Sequence, residues 1–163
     1  MTIFNYIIIL IICNSMKYLI FTLTLFFILK DSYAAEKLYL PYIINYSNYT
    51  AVKPLNIQSG DIIKGKKIFK SRKTNCLSCH EVPMPEEKFQ GNFGPSLSGV
   101  GSKYSKEGIR IRLINAKIIN PDTIMPSYFK VIDYPRTKKK YLGKTILEVE
   151  EVEHLVEYLY SLK

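Results

Sequence analysis

Two apolar runs occupy most of the first thirty residues of the chain. Residues 3–12 are almost wholly apolar, and a second apolar run covers residues 18–29. Read from Met16, the second run has the order of a secretory signal peptide: a short positive start, an apolar segment and a small-x-small triplet at 32–34. We therefore predict an export signal that is cleaved after Ala34, which makes the first fifteen residues an extension upstream of the start codon.

The alternative for this region is an uncleaved membrane anchor. Residues 3–29 are long enough to span a bilayer, for which about 20 apolar residues suffice, but Lys17 and neighbouring polar residues interrupt them. The second run alone is short for a membrane span, which favours cleavage. Translation from Met1 or from Met16 and retention of the leader stay open.

Residues 35–58 contain Tyr, Pro and Asn but show no helical period. We expect an extended arm here, and of its two possible uses, packing on its own domain or wrapping a partner, we favour packing. The predicted organisation is therefore a leader in residues 1–34, an arm in 35–58 and a folded domain in 59–163.

The folded domain opens with apolar positions spaced three and four residues apart. Ile62, Gly65 and Phe69 share one helical face, with Ser59 as the expected N-cap. A glycine inside a helix costs about 1 kcal/mol relative to alanine. Gly65 therefore indicates that another helix approaches closely at this point.

Loops and a second helix follow. Pro and Gly punctuate residues 81–104, which we predict to be loop. A helix then covers about 105–117, and the pair Asn120-Pro121 stops it. Residues 121–145 form a long irregular connection, and connections of this length inside a small domain are usually functional or disordered.

The C-terminal segment shows the clearest helical period. Thr145 and Glu148 have the spacing of a capping box. One apolar stripe then runs along the helix through Val149, Val152, Leu155, Val156, Leu159 and Leu162. The pattern as a whole predicts an all-α domain of three to four helices in residues 59–163.

The chain is basic, with a formal net charge of +9. Six basic residues lie on and just after the first predicted helix: Lys64, Lys66, Lys67, Lys70, Arg72 and Lys73. Such a charge is compatible with nucleic acid, but an exported protein rarely meets nucleic acid, so we expect none and favour an acidic protein partner. The basic cluster either steers that partner or is a solvated helix face, and the pattern does not decide between the two.

The candidate chemistry lies in NCLSCHEV, which contains Cys76, Cys79 and His80. Structural zinc needs four ligands, and these residues with no second C-x-x-C make a poor set. A thioredoxin-like dithiol belongs beside a βαβ pattern, whereas helical patterns flank this motif. C-x-x-C-H is also the attachment sequence of c-type haem, which is attached outside the bacterial cytoplasm. We therefore predict one covalent haem c, anchored by the two cysteines, with His80 as an axial iron ligand.

A second axial ligand must come from elsewhere in the chain. Met84 follows His80 too closely to reach the opposite face of the haem, and His154 lies towards the edge of the last apolar stripe. Met125, in a loop stiffened by prolines, is the predicted ligand. A ligating histidine usually donates its other ring N–H to a fixed acceptor, and we expect the Pro95 carbonyl to accept from His80.

The order of helix, C-x-x-C-H, Gly-Pro, helix, methionine loop and final helix resembles class I cytochromes c. More narrowly, the chain resembles the SoxX family, the monohaem subunits of the SoxAX cytochromes of thiosulfate-oxidising bacteria. The stretches that carry the resemblance are NCLSCHEVP, FQGNFGPSLSGVGSKY, INPDTIMPSYF and KKKYLGKTILEVEEVEHLVEYL. The resemblance implies the same roles for Cys76 and Cys79 as thioether anchors and for His80 and Met125 as axial ligands.

The resemblance also implies a function. It predicts a periplasmic redox subunit that forms a heterodimer with a SoxA-like haem subunit, the two acting as an L-cysteine S-thiosulfotransferase. That complex joins thiosulfate oxidatively to a carrier-protein cysteine, with the bond-making chemistry on the partner and no catalytic residue here. Electrons leave through the haems to a downstream electron-acceptor cytochrome.

The alternative function is that of a free-standing monohaem cytochrome c shuttle in respiratory electron transport. The stretch FQGNFGPSL and the long loop after Met125 argue against it, because a small shuttle needs neither. Contact with a membrane is expected only if the leader is uncleaved.

Overall fold

The computed structural model describes residues 39, 41–131 and 135–163. The predicted leader, its cleavage site and residues 35–38 of the predicted arm lie outside the described residues. Within the described part of the chain, no helix has both the length and the apolar character that crossing a membrane requires.

Four α-helices and one β-hairpin make up the regular structure of the described residues. The helices are α1 (Ile62–Phe69), α2 (Val100–Lys103), α3 (Lys106–Asn115) and α4 (Val149–Ser161). The hairpin pairs β1 (Ile43–Asn45) with β2 (Thr50–Val52) in antiparallel register. Short 3₁₀ turns cover Cys76–Ser78, Ala116–Ile118 and Lys139–Tyr141. The predicted helical fold is confirmed, and the hairpin is an addition that the pattern did not predict.

Helices α1 and α4 approach each other at Gly65, as predicted. A Cβ atom on Gly65 would lie 2.0 Å from the backbone oxygen of His154 and 2.7 Å from Cβ of Tyr158. Any side chain at this position would therefore separate the two helices. Phe69 and Tyr158 continue the contact, with ring centroids 5.6 Å apart.

The start of α1 differs from the prediction. Its N-cap is Asp61 rather than Ser59, because the Asp61 side chain accepts a 2.8 Å hydrogen bond from the Lys64 amide. The Asp61 amide in turn donates to His154 Nδ1 at 2.8 Å. A carboxylate is favourable beside the positive end of the helix dipole, and the contact with α4 holds this residue where the helix begins.

The starts of two other helices, α4 and α2, also differ from what the sequence predicted. Helix α4 begins with a capping box formed by Glu148 and Glu151, not by Thr145 and Glu148 as predicted. The Glu148 amide donates to the Glu151 carboxylate at 2.8 Å, whereas the Thr145 hydroxyl donates to the Leu147 carbonyl. Helix α2 lies inside the segment predicted to be loop, and a helix of four residues is too short to show a period.

The hairpin packs on α3 and α4 through a buried ion pair. Arg110 and Glu153 are 3% and 1% exposed, and the guanidinium bonds both carboxylate oxygens at 2.8 and 2.9 Å. Arg110 Nη1 also donates to the Ala51 carbonyl in β2 at 2.9 Å. Tyr39 and Tyr42 are buried as well. The described part of the predicted arm is therefore integrated into the fold of residues 39–163, and its core residues pack on the helices.

Candidate haem-binding site

The C-x-x-C-H motif forms a tight turn after α1. Asn75 precedes the 3₁₀ turn with a left-handed backbone (φ 54°), and the amides of Cys79 and His80 both donate to the Cys76 carbonyl, at 3.1 and 3.0 Å. Cys76 is 7% exposed, and Cys79 and His80 are partly exposed. Both cysteines are free thiols. The turn therefore presents two thiols and one imidazole from a single short segment.

A glycine-rich loop runs along this turn. The amides of Gly91, Gly94 and Leu97 donate to the carbonyls of residues 77, 79 and 81 at 2.7–2.8 Å. A Cβ atom on Gly94 would lie 2.5 Å from Cε1 of the His80 ring. The stretch FQGNFGP therefore needs glycine because the loop backbone touches the motif directly.

The orientation of His80 is set by the next residue in that loop. The Pro95 carbonyl oxygen lies 2.8 Å from His80 Nδ1. Since a carbonyl can only accept a hydrogen bond, Nδ1 carries the proton and Nε2 keeps its free lone pair. This is the arrangement that a metal-ligating histidine requires.

Met125 lies in a loop that is fixed on both sides. The Lys117 ammonium donates to the Thr123 carbonyl at 2.7 Å, and the Ser127 hydroxyl donates to the Asn115 side chain at 2.6 Å. Met125 itself is partly exposed. The loop that carries the Met125 thioether is therefore held to the end of α3 both before and after Met125.

The two other ligand candidates are engaged elsewhere. Met84 is 2% exposed and is among the largest fully buried side chains of the core. His154 accepts the Asp61 amide through Nδ1 at the start of α1. Met125 remains the predicted second ligand.

The chemical character of the site fits a haem. Burial raises the pKa of the Cys76 thiol, and the nearby hydroxyl groups of Thr74 and Tyr128 offset this in part. Phe93 and Ile124, which precede Gly94 and Met125, are 74% and 69% exposed. Exposed apolar side chains of this kind are suited to covering a large planar apolar group. The donor set of two thiols, an oriented imidazole and a thioether suits a covalent porphyrin with iron.

Alternative metal chemistry is not supported. Within the described ranges of the chain, no group of three or more His, Cys, Asp or Glu side chains could hold a metal ion. A structural zinc site needs four such ligands. The described residues therefore do not offer the four-ligand set that structural zinc takes.

The basic cluster on and just after α1 is partly neutralised by the protein itself. Lys66 pairs with Glu86 at 2.8 Å, and Lys70 pairs with Glu87 at 2.5 Å. Lys73 pairs with a carboxylate of α4 at 2.6 Å. These partly exposed pairs connect α1 to the loop after the motif, and the segment after α1 to α4, so three of the six basic side chains are engaged within the fold.

Two site residues gave no signal in the sequence. Gln90 accepts the Val82 amide at 2.6 Å and donates to the carbonyls of Met84 and Glu87, which holds the loop after the motif. The Tyr128 hydroxyl donates to the Thr74 backbone at 2.8 Å. Neither role follows from spacing, because both depend on which loops meet in the folded chain.

A helical domain with a C-x-x-C-H turn, a carbonyl-oriented histidine and a separate methionine loop defines a class I c-type cytochrome. The chain belongs to the cytochrome c family, whose model matches residues 62–163. This membership implies a covalently bound haem c. No curated protein matches the chain in sequence.

Among solved structures, the chain is similar to the crystal structure of SoxXA from P. pantotrophus. The sequence identity is 26% and the TM-score 0.66, and the match covers 75% of this chain and 94% of that chain. The predicted resemblance to SoxX-type cytochromes and the predicted class I cytochrome c fold are thereby confirmed.

Proposed function

We propose that this chain is the periplasmic, monohaem electron-transfer subunit of a SoxAX-type complex. The observation that carries the proposal is the similarity to SoxXA, which extends over 94% of that chain and not only over the generic family region. The FQGNFGP loop supports it, because its backbone lies directly on the haem-attachment turn.

In this proposal the site residues divide the work of holding one haem. Cys76 and Cys79 form the thioethers, and His80 and Met125 are the axial ligands. The Pro95 carbonyl keeps the His80 ring in one orientation and one tautomer. The haem, when bound, supplies a one-electron redox centre, and a thioether ligand raises its potential relative to two histidines.

The bond-making chemistry is assigned to the partner. The two cysteines of the described chain are used as haem anchors, so neither is free to act as a thiol nucleophile. We therefore propose that a SoxA-like haem subunit, as a heterodimer partner, joins thiosulfate to a carrier-protein cysteine in an L-cysteine S-thiosulfotransferase reaction. The two electrons released in that oxidation pass through the haems to a downstream electron-acceptor cytochrome.

The decisive experiment is a pulldown of the tagged full chain from a native extract, with haem staining on a denaturing gel and intact masses. We expect a stained band for this chain and co-purification of a second haem protein. Replacement of both Cys76 and Cys79 by Ser removes the stain from this chain and serves as the control. A stained chain that runs alone and reduces an oxidase without a partner would instead identify a free-standing shuttle.

A further inference from the structure

We propose that Tyr128 is a positioning residue whose hydroxyl, bonded to the Thr74 carbonyl, holds the methionine loop against the haem-attachment turn and so favours Met125 as iron ligand. The inference rests on the proposed function, because it concerns the second axial ligand of the proposed haem. It adds to that function a residue that is not itself one of the proposed iron ligands.

Tyr128 is held at both its backbone and its hydroxyl. Its amide donates to the Leu113 carbonyl at 3.1 Å, and its carbonyl accepts from the Leu147 amide at 2.9 Å. The side chain is buried at 5% exposure, and the hydroxyl donates to the Thr74 carbonyl at 2.8 Å. A buried tyrosine with these three contacts has little freedom to move, so it acts as a fixed connection.

The acceptor end of this connection is equally rigid. Thr74 is 3% exposed, and its own hydroxyl donates to the Ile68 carbonyl in the last turn of α1 at 2.7 Å. Thr74 precedes Cys76 by two residues. The carbonyl that receives the Tyr128 hydroxyl therefore belongs to the segment that would be covalently attached to the haem.

The connection is specific to the two ligand segments. Among the hydrogen bonds of the described residues, the bond from Tyr128 to Thr74 is the one that joins residues 119–131 to residues 70–97. The bonds of Lys117 and Ser127 attach the methionine loop to the end of α3 instead. Removal of the hydroxyl therefore loosens the loop relative to the haem while leaving its other attachments in place.

The physical effect is preorganisation. Met125 lies three residues before Tyr128, so fixing the tyrosine restricts where the thioether can go before it binds iron. A ligand that is already held in its bound position loses less conformational freedom on binding. Loss of the hydroxyl should therefore weaken thioether ligation without removing the thioether.

The test uses the ferric holoprotein and the variant Tyr128→Phe, which keeps the ring. Added imidazole must displace the thioether to bind iron, and displacement is followed by loss of the weak red-region band of sulfur-ligated ferric haem. We expect the apparent imidazole affinity of Tyr128→Phe to rise about fivefold, the factor expected for loss of one net hydrogen bond, and its reduction potential to fall.

The matched control is Tyr42→Phe. Tyr42 is also buried, and its hydroxyl also donates to a backbone carbonyl, that of Val149 at 3.2 Å, but the bond joins the hairpin region to α4. We expect this variant to keep the wild-type imidazole affinity and potential. An unchanged affinity in Tyr128→Phe, or an equal shift in both variants, overturns the inference while the proposed function stands. A wild-type protein with covalent haem but no red band overturns Met125 as ligand, and the inference with it.

Discussion

The orientation of the His80 ring is set by two residues of the neighbouring loop, Gly94 and Pro95. The Pro95 carbonyl accepts from Nδ1, and the absence of a side chain on Gly94 lets the loop lie against the ring. The adjacent Gly-Pro pair thus performs two tasks, since Gly94 allows the close approach and Pro95 places the acceptor. This is why the pair belongs to the site although neither residue carries reactive chemistry.

Substitutions of Met125 and Met84 should have different effects, one on iron ligation and the other on stability. We predict that Met125→Ala eliminates the red-region band of the ferric holoprotein, because its thioether is the proposed iron ligand. Met84→Ala should keep the band but lower the free energy of unfolding by about 2–5 kcal/mol, the usual cost of truncating a buried methionine, since Met84 is 2% exposed. Absorption spectra and urea unfolding of both variants check this, and a band that survives in Met125→Ala and is lost in Met84→Ala would reverse the assignment.

At the scale of elements, the helices that could be predicted from the sequence are the long ones whose apolar residues recur at helical spacing. Helices α1 and α4 were predicted because each repeats an apolar face, and α3 because apolar residues recur at helical spacing before the Asn120-Pro121 stop. Helix α2 and the hairpin were missed because four and three residues show no reliable period and are stabilised by tertiary contacts. The observed N-caps of α1 and α4 lie within one turn of the predicted ones. Several polar residues could cap each helix, and the choice among them depends on the helix that packs beside it.

The α1–α4 crossing makes the strongest prediction about elements. Gly65→Ala should lower the free energy of unfolding by at least about 1–3 kcal/mol, the typical cost of overpacking a core contact, because its Cβ would lie 2.0 Å from the His154 backbone oxygen. The matched control is Gly108→Ala in α3, where the nearest atom to a new Cβ is 3.6 Å away. That change should stabilise by about 0.5–1 kcal/mol, because alanine favours helix over glycine. Urea unfolding measures both, and a neutral Gly65→Ala would show that the helices separate at little cost.

For the molecule as a whole, the sequence points to candidate haem-binding residues more readily than to the residues that hold them in place. Cys76, Cys79 and His80 lie close together in the sequence, so a joint role in haem attachment could be proposed from their spacing together with the predicted export signal and the helical pattern around them. The acceptor Pro95 and the proposed ligand Met125 could be identified as candidates because glycine and proline mark their loops. Tyr128 could not, because its partner Thr74 lies 54 residues away in the chain.

The same limit applies to electrostatics. The sequence shows a net charge of +9 and a run of lysines, but not that Lys66 and Lys70 pair with glutamates after the haem-attachment turn. Nor does it show that Arg110 and Glu153 form a buried pair with Ala51 as a third contact. Removing one member of such a pair leaves an uncompensated buried charge, so the fold requires both residues. In the sequence alone, Arg110 and Glu153 look like two ordinary charged residues.

Buried tyrosines give the whole molecule a specific response to alkaline pH. Burial raises the pKa of Tyr42 and of Tyr128, and it raises the pKa of Tyr158 to about 12. Below about pH 10, the ordinary value for tyrosine, these groups are protonated in both states and do not affect stability. Above it the unfolded chain releases protons that the folded chain retains, so the free energy of unfolding should fall as pH rises.

We therefore predict a loss of stability that begins near pH 10, with each buried tyrosine contributing a slope of about 1.4 kcal/mol per pH unit up to its folded pKa. Urea unfolding followed by the helical signal from pH 9 to 11.5 measures the slope. Tyr158→Phe keeps the ring contact with Phe69 but has no hydroxyl to ionise, so its slope should be smaller than that of the wild type by about one tyrosine's share. An identical slope in the two proteins would mean that Tyr158 ionises as readily in the folded chain as in the unfolded one, and that its burial does not control the alkaline transition.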